Sequence, residues 1–405
     1  MTRDNATMLE RRRQLLGAAY RLFYDDPVHI VRGEGVWLYD ADGRKYLDMY
    51  NNVPHVGHCH PHVVEALTKQ IGTLNTHTRY LHENILDYAE RLTGKFEDEL
   101  DLAMFCCTGS EANELAMRIA RTHTGGTGFI ATSFAYHGNT KATFEITTSD
   151  IPENERPDYI ATVPVPDTYR GPHTGADAGE KYAAYVHEAV DTLELRGVKP
   201  AAFIIDTIAS SGGVVSPPPG YLSAVAEIIR DAGGLFIADE VQPGFGRTGR
   251  NFWGYQADGF VPDIVTMGKP MGNGHPLAGI VTRGGIVEEF AAKGHYFNTF
   301  GGNPVSCAAG LAVLDVLEQE DLQQNALDVG QYLLDGLWSL AERHEPIGDV
   351  RGSGFFIGLE LVEDRERRTP ATSFTKEVVN ELRNRGLLTS SIGPHANILK
   401  LRCPM

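Results

Sequence analysis

Leu235-Phe-Ile-Ala-Asp239-Glu-Val-Gln242 is an apolar run that stops abruptly on a carboxylate. Thirty residues past Asp239, a second run, Asp263-Ile-Val-Thr-Met-Gly268, ends in Lys269. Read as buried strands, the two deliver one charge each to the same edge of a sheet. A buried carboxylate is costly unless it meets a cation, and a lysine in a dry pocket has its pKa pushed down until it becomes a nucleophile. The ordinary alternative is that Asp239 caps a strand while Lys269 is a solvated loop lysine.

Working outward, short and nearly continuous apolar segments recur at Gly128–Thr132, Ala201–Asp206, Ile264–Met267 and Leu277–Val281. Helical periodicity separates them, beginning at Pro61 (Val63, Val64, Ala66, Leu67, Ile71), at Ser110 (Leu115, Ile119, Ala120) and at Tyr221. This alternation predicts an α/β fold whose large domain is a mostly parallel sheet sandwiched by helices. Ligands of such sheets sit at the carboxyl ends of the strands, which is where Asp239 and Lys269 fall. Val36-Trp-Leu-Tyr39 and Lys45-Tyr-Leu-Asp48 around Asp42-Gly43 predict a hairpin with a primed turn. After Pro304 the chain reads as a helix and then as short strands such as Phe355–Glu360. The expected division is an N-terminal segment of a small α+β domain (1–50), a large domain (51–309) and the C-terminal part of the small domain (310–405).

The 405 residues, 42% hydrophobic and 22% charged, suit an ordinary globular chain with a large core. A formal net charge of −17 opposes phosphate backbones and anionic membrane surfaces, so neither nucleic acid nor membrane is an expected partner. A small anionic ligand fits where basic residues converge. No apolar run is long enough to span a bilayer and no signal core follows Arg11-Arg12-Arg13, which points to the cytoplasm. The five cysteines, Cys59, Cys106, Cys107, Cys307 and Cys403, have no CxxC spacing and read as reduced thiols.

Other stretches carry chemistry. Thr108-Gly109-Ser110-Glu111-Ala112 places a glycine and a serine where a helix begins, either as a phosphate cradle or as an ordinary cap; Ser110 and Asn113 do not complete a strict capping box. Tyr136-His137-Gly138 supplies an aromatic face on which a flat ring could stack, or a core tyrosine in a turn. Gln242 lies where its amide could reach a cofactor's phenolic oxygen, and Val241 where it could pack on the ring. Gly244-Phe-Gly246-Arg-Thr-Gly249 matches a dinucleotide fingerprint by letter, but no helical period follows, so these glycines are read as a loop beside the site. His55, His58, Cys59, His60 and His62 resemble a zinc cluster, yet Pro61 divides them; a polar wall is the preferred reading and no metal is expected. Thr299-Phe-Gly-Gly-Asn-Pro304 either closes a phosphate cup or merely connects elements. No GxSxG elbow and no Walker A sequence is present.

Together Lys269 and Asp239 suit a pyridoxal 5'-phosphate enzyme, in which a lysine amine holds the cofactor aldehyde as a Schiff base and an acid keeps the pyridine nitrogen protonated. Taken in order, Gly109–Asn113, Tyr136–Asn139, Ala238–Gly249, Gly268-Lys269 and Thr299–Pro304 resemble the class III aminotransferases of pyridoxal phosphate fold type I. The resemblance runs from about Gly33 to the last residue. It implies Gly109 and Ser110 on the cofactor phosphate, Tyr136 (beside His137) stacked on the ring, Asp239 on the ring nitrogen and Lys269 as the Schiff-base lysine. It further implies a homodimer with shared active sites, as a dimer or a tetramer, with Thr299 reaching the neighbouring subunit's cofactor phosphate. The family usually continues past Pro404-Met405, which implies a further short stretch.

Departures bear on the substrate. Where family members acting on α-amino acids resemble one another in a carboxylate-gripping arginine, the matching place here is Lys400, with Arg402 two residues on. Many relatives have Glu-Pro where this chain has Asp206-Thr207, which weakens any gating role for that acid. Asn51–Pro61 and Leu74–Asn84 look like the ethanolamine-phosphate phospho-lyase branch, whose members also carry a lysine at the Lys400 place. The implied activity is elimination of phosphate from O-phosphoethanolamine, giving acetaldehyde and ammonia, with Lys269 and Asp239 as catalytic residues. Arg79, Thr78, Lys400, Arg402 and Tyr20 are the candidates for the substrate phosphate. The rival readings are an ω-aminotransferase using the same lysine and aspartate, phosphohydroxylysine as substrate, and a non-catalytic cofactor- or phosphate-binding regulator.

Overall fold

Pro200–Asp206 is buried at all seven positions, and a strand without polar alternation must be covered on both faces. The computed structural model, which describes residues 5–405, shows that cover. Ala202 and Ile204 point into one apolar cluster with Leu115, Ile119 and Ala120 of the Gly109–Thr124 helix. Phe203 and Ile205 point into the other, with Val186 and Leu193 of the Ala178–Leu195 helix and Val225 and Ile229 of the Tyr221–Asp231 helix. The two-residue period of the strand thus feeds both layers.

This sheet has seven strands in the spatial order Leu102–Cys106, Ala278–Thr282, Ile264–Met267, Leu235–Asp239, Pro200–Asp206, Gly128–Thr132, Ile160–Val163. All neighbours pair in parallel except Ala278–Thr282, which runs antiparallel to both of its partners. The mostly parallel sheet of an α/β fold is therefore present, with one reversed strand.

Two smaller sheets lie beside it. Ile30–Glu34, Trp37–Asp40 and Lys45–Asp48 form an antiparallel meander, joined by Leu387–Leu388, which pairs in parallel with Lys45–Asp48. Ile347–Ser353, Phe356–Asp364, Ile398–Leu401 and Ser390–Ile392 form the other, with Lys400 paired to Gly358 and to Ser390. The first and last parts of the chain thus share a sheet.

The hairpin turn differs from expectation. Gly43 has φ +83° and donates to Asp40 O at 3.1 Å, while Asp42 stays at negative φ, so the loop is not the two-residue primed turn. Asp40 Oδ1 accepts from the amides of Asp42 and Arg44, and this side-chain closure favours the longer loop.

Candidate active site

Three strand ends converge. Asp206 and Asp239 end neighbouring strands and face each other in register, and Lys269 opens the short 3-10 turn Lys269–Gly272 just past the next strand. Asp239 is buried; its Oδ2 accepts from Asn113 Nδ2 at 2.9 Å and meets His137 Nδ1 at 2.8 Å, and its Oδ1 accepts from the Val241 amide at 3.1 Å. Asn113 is held in turn by Thr266, whose hydroxyl donates to its Oδ1 at 2.6 Å. Asp239 is therefore clamped as an acceptor before any ligand arrives.

Burial lowers the Lys269 pKa, and the Arg402 guanidinium lowers it further against the opposing pull of Asp239 and Asp206. Among the described residues nothing hydrogen-bonds or ion-pairs with its amine. An unengaged amine beside a clamped carboxylate is what a carbonyl cofactor requires. Burial raises the Asp206 pKa, and the neighbouring Asp239 charge raises it further.

The start of the helix Gly109–Thr124 is the candidate anion cradle. Its first amides, Gly109 and Ser110, are donors that the helix cannot satisfy itself. The capping box is real but starts at Thr108: the Glu111 amide donates to Thr108 Oγ1, and Glu111 Oε2 accepts from the Thr108 amide at 2.9 Å. The frame is thus Thr-x-x-Glu from Thr108, two residues before the serine expected to open the helix. Ser110 Oγ accepts from the Asn139 amide at 3.1 Å, and a Cβ on Gly138, at φ +143°, would lie 2.6 Å from Ser110 Oγ. A Cβ on Gly109 would come within 3.0 Å of Val241 Cγ1, and one on Gly268 within 3.3 Å of both Gly109 N and Val241 Cγ1. Tyr136 is partly exposed beside this cradle, whereas buried His137 serves Asp239.

A second cluster comes from the Ile398–Leu401 strand. Lys400 and Arg402 are both buried and both donate to Gln242 Oε1, Lys400 Nζ at 3.2 Å and Arg402 Nη1 at 2.6 Å. Arg402 Nη1 also reaches Asn52 Oδ1 at 2.9 Å, and its guanidinium lies 4.7 Å from the centre of the Tyr50 ring. Burial and then Arg402 drive the Lys400 pKa down; Arg402 is itself lowered by burial. Gln242 Nε2 donates to Ser210 Oγ at 2.5 Å, and the Ser210 hydroxyl donates to Asp206.

Three expected substrate residues lie apart from this cluster within one chain. Arg79 stacks on Phe297 at 4.1 Å, and Thr78 lies beside Gly302, so both sit with the exposed loop that carries Thr299. Tyr20 is 64% exposed, with its backbone oxygen and ring against Arg12. The four histidines turn to separate partners: His55 to Phe245 O and Arg247, His58 to Asp48, His60 to Glu320 and His62 to Asp315. The Gly244–Gly249 segment forms turns and opens no helix at its glycines, and buried Arg247 ties it to Phe355 O and Cys403 O.

Asn113, Ser210, Asn52 and Tyr50 were not expected at the site. Asn113 stands in the Gly109–Asn113 motif, four residues past Gly109 and so on the same helix face, which was the available signal. Asn52 lies in the Asn51–Pro61 stretch, while Tyr50 and Ser210 reach the site only through the fold.

A family model described as Aminotransferase class-III matches residues 23–405. The chain belongs to the class-III aminotransferase family. Among its relatives, it is 45% identical over 408 residues to an alanine–glyoxylate aminotransferase 2-like protein of Drosophila melanogaster, covering 98% of this chain and 83% of the relative. It is 41% identical over 421 residues to ethanolamine-phosphate phospho-lyase homolog 1 of Caenorhabditis elegans, covering 100% of this chain and 90% of the relative. A phospholyase from Arthrobacter in complex with phosphoethanolamine superposes with a TM-score of 0.94 at 45% identity, over 98% of this chain and 94% of that one. The shared fold is fold type I, and this class-III enzyme uses pyridoxal phosphate. The free Lys269 amine, the clamped Asp239 and the cradle that a Gly138 side chain would fill all fit that group.

Proposed function

We propose that this class-III enzyme is a phospho-lyase that eliminates phosphate from O-phosphoethanolamine. The observation that carries the reading is the pair of buried cations, Lys400 and Arg402, gathered on one amide oxygen beside Lys269 in a chain of net charge −17. Two adjacent cations match a phosphate dianion better than a single carboxylate. Kinship with proteins described as phospho-lyases supports the same substrate.

When bound, pyridoxal phosphate supplies an aldehyde that takes up the substrate amine and a protonated ring that accepts an electron pair. Gly109 and Ser110 would hold its phosphate, Tyr136 and Val241 would flank its ring, and Asp239, oriented by His137 and Asn113, would keep the ring nitrogen protonated. Lys269 would hold the cofactor's aldehyde, and its amine, with a pKa lowered by burial, would take the proton from the substrate carbon that bears nitrogen. Lys400 and Arg402 hold the substrate phosphate, which leaves from the adjacent carbon with its bonding electrons. Water completes the products, acetaldehyde and ammonia. Arg79 and Thr78 sit with the loop that carries Thr299, which in a homodimer would serve the partner's cofactor.

Incubation with phosphoethanolamine alone should release acetaldehyde and inorganic phosphate in equal amounts. The second reading, an ω-aminotransferase, is favoured by relatives described as alanine–glyoxylate aminotransferases in Drosophila and, at 37% identity, in Homo sapiens. Alanine formed from pyruvate, without phosphate release, would replace the lyase reading with that one.

A further inference from the structure

The Gln242 amide has only one orientation compatible with its neighbours. The Arg402 guanidinium has no acceptor to offer, so the end facing it must be the oxygen, which Lys400 Nζ meets as well. The opposite end, Nε2, must then find an acceptor, and it finds Ser210 Oγ. Ser210 can accept there because its own proton is committed to Asp206 Oδ2. Asp206 is the anchor: it is buried, and the Ile208 and Ser210 amides also point into its carboxylate at 3.2 Å. The line runs Asp206, Ser210, Gln242, then both cations, across three chain segments.

We propose that Ser210 and Asp206 are positioning residues that lock the Gln242 amide and so hold Lys400 and Arg402 together as a dianion site. The inference rests on the phosphate-site reading above and extends it to two residues that touch neither cation. Two like charges repel, and a shared acceptor dipole is what holds them at one place. Without the Ser210 acceptor the buried Nε2 end is left unpaired, and the oxygen is held against the two cations from one side only. The second hydrogen of Gln242 Nε2 remains available to a cofactor's phenolic oxygen, so the same lock sets which end of the amide faces the ring.

The test is inorganic phosphate binding to the holoenzyme, measured by calorimetry, in wild type, Ser210→Ala, Gln242→Ala and the double variant. Ser210→Ala should weaken phosphate at least ~10-fold, about the ~1.4 kcal/mol of a charge-assisted contact. It should raise KM for phosphoethanolamine more than it lowers kcat, and cause no further loss in the Gln242→Ala background. Asp206→Asn, whose amide can offer a proton to Ser210 and turn its hydroxyl round, should act in the same direction and provides a second route if Ser210→Ala folds poorly. Wild-type phosphate affinity in both Ser210→Ala and Asp206→Asn, or an equal Ser210→Ala loss in both Gln242 backgrounds, would overturn the lock. If wild type binds phosphate but releases none from phosphoethanolamine, the lyase reading fails while the lock stands.

Discussion

At the scale of single residues, the site is a contest between burial and pairing. Lys269 has its pKa lowered chiefly by burial and has no hydrogen-bond partner among the described residues, while Asp239 is given three donors. The two residues were legible in the sequence because each ends an apolar strand, and an ionic group at such a place must be compensated. Ser210 was not legible: its role depends on which way one hydroxyl turns between segments far apart in the chain. Replacing Lys269 by Ala should remove the borohydride-trappable cofactor adduct and reduce turnover by at least ~10²-fold, the low end of what a positioned proton carrier contributes. A Lys269→Ala protein that still yields a reduced adduct would mean that another amine holds the cofactor.

Among elements, the strands were the most readable, since Leu235–Asp239 and Ile264–Met267 fall where continuous apolar runs place them. Periodicity carries no direction, so the reversal of Ala278–Thr282 needed the fold. The helix starts at Gly109 and not at Ser110 because Thr108 caps it and Glu111 closes the box. Phe203, buried between the sheet and two helices, should cost about 3–5 kcal/mol when cut to Ala, measurable by denaturant unfolding. The loop after Asp239 is closed by Glu240, which accepts from Thr207 and from the Gly254 and Tyr255 amides. Burial nonetheless pushes its pKa from 4.5 up to about 7. A raised carboxyl pKa means that the folded state holds the proton more tightly than the unfolded chain. The stability it confers is complete below pH 4.5 and is lost as pH climbs through about 7. In Glu240→Gln the fall in melting temperature between pH 5 and pH 8 should be smaller than in wild type, whatever its starting value; an unchanged slope would show that Glu240 is already ionised at pH 5.

For the molecule as a whole, the sequence motifs and the fold agree on family and cofactor, and the comparisons bear out both. No helix among the described residues is long and apolar enough to cross a membrane. Large apolar side chains gather on one face around Thr299: Leu81 is 98% exposed, with Tyr80, Phe297 and Phe300 also exposed and Arg79 stacked on Phe297. Such a patch marks an interaction surface. With the proposed homodimer, Leu81→Asp should shift the sedimentation coefficient toward monomer and lower activity in parallel. A wild-type chain that sediments as a monomer while fully active would remove the shared-site reading.

The close approach of Gly109, Val241 and Gly268 limits how this enzyme can be altered. The backbone at Gly109 and Gly268 and the Val241 side chain behave there as one wedge, so widening any member displaces the other two. Redesign toward bulkier amines belongs instead at positions that leave this wedge untouched.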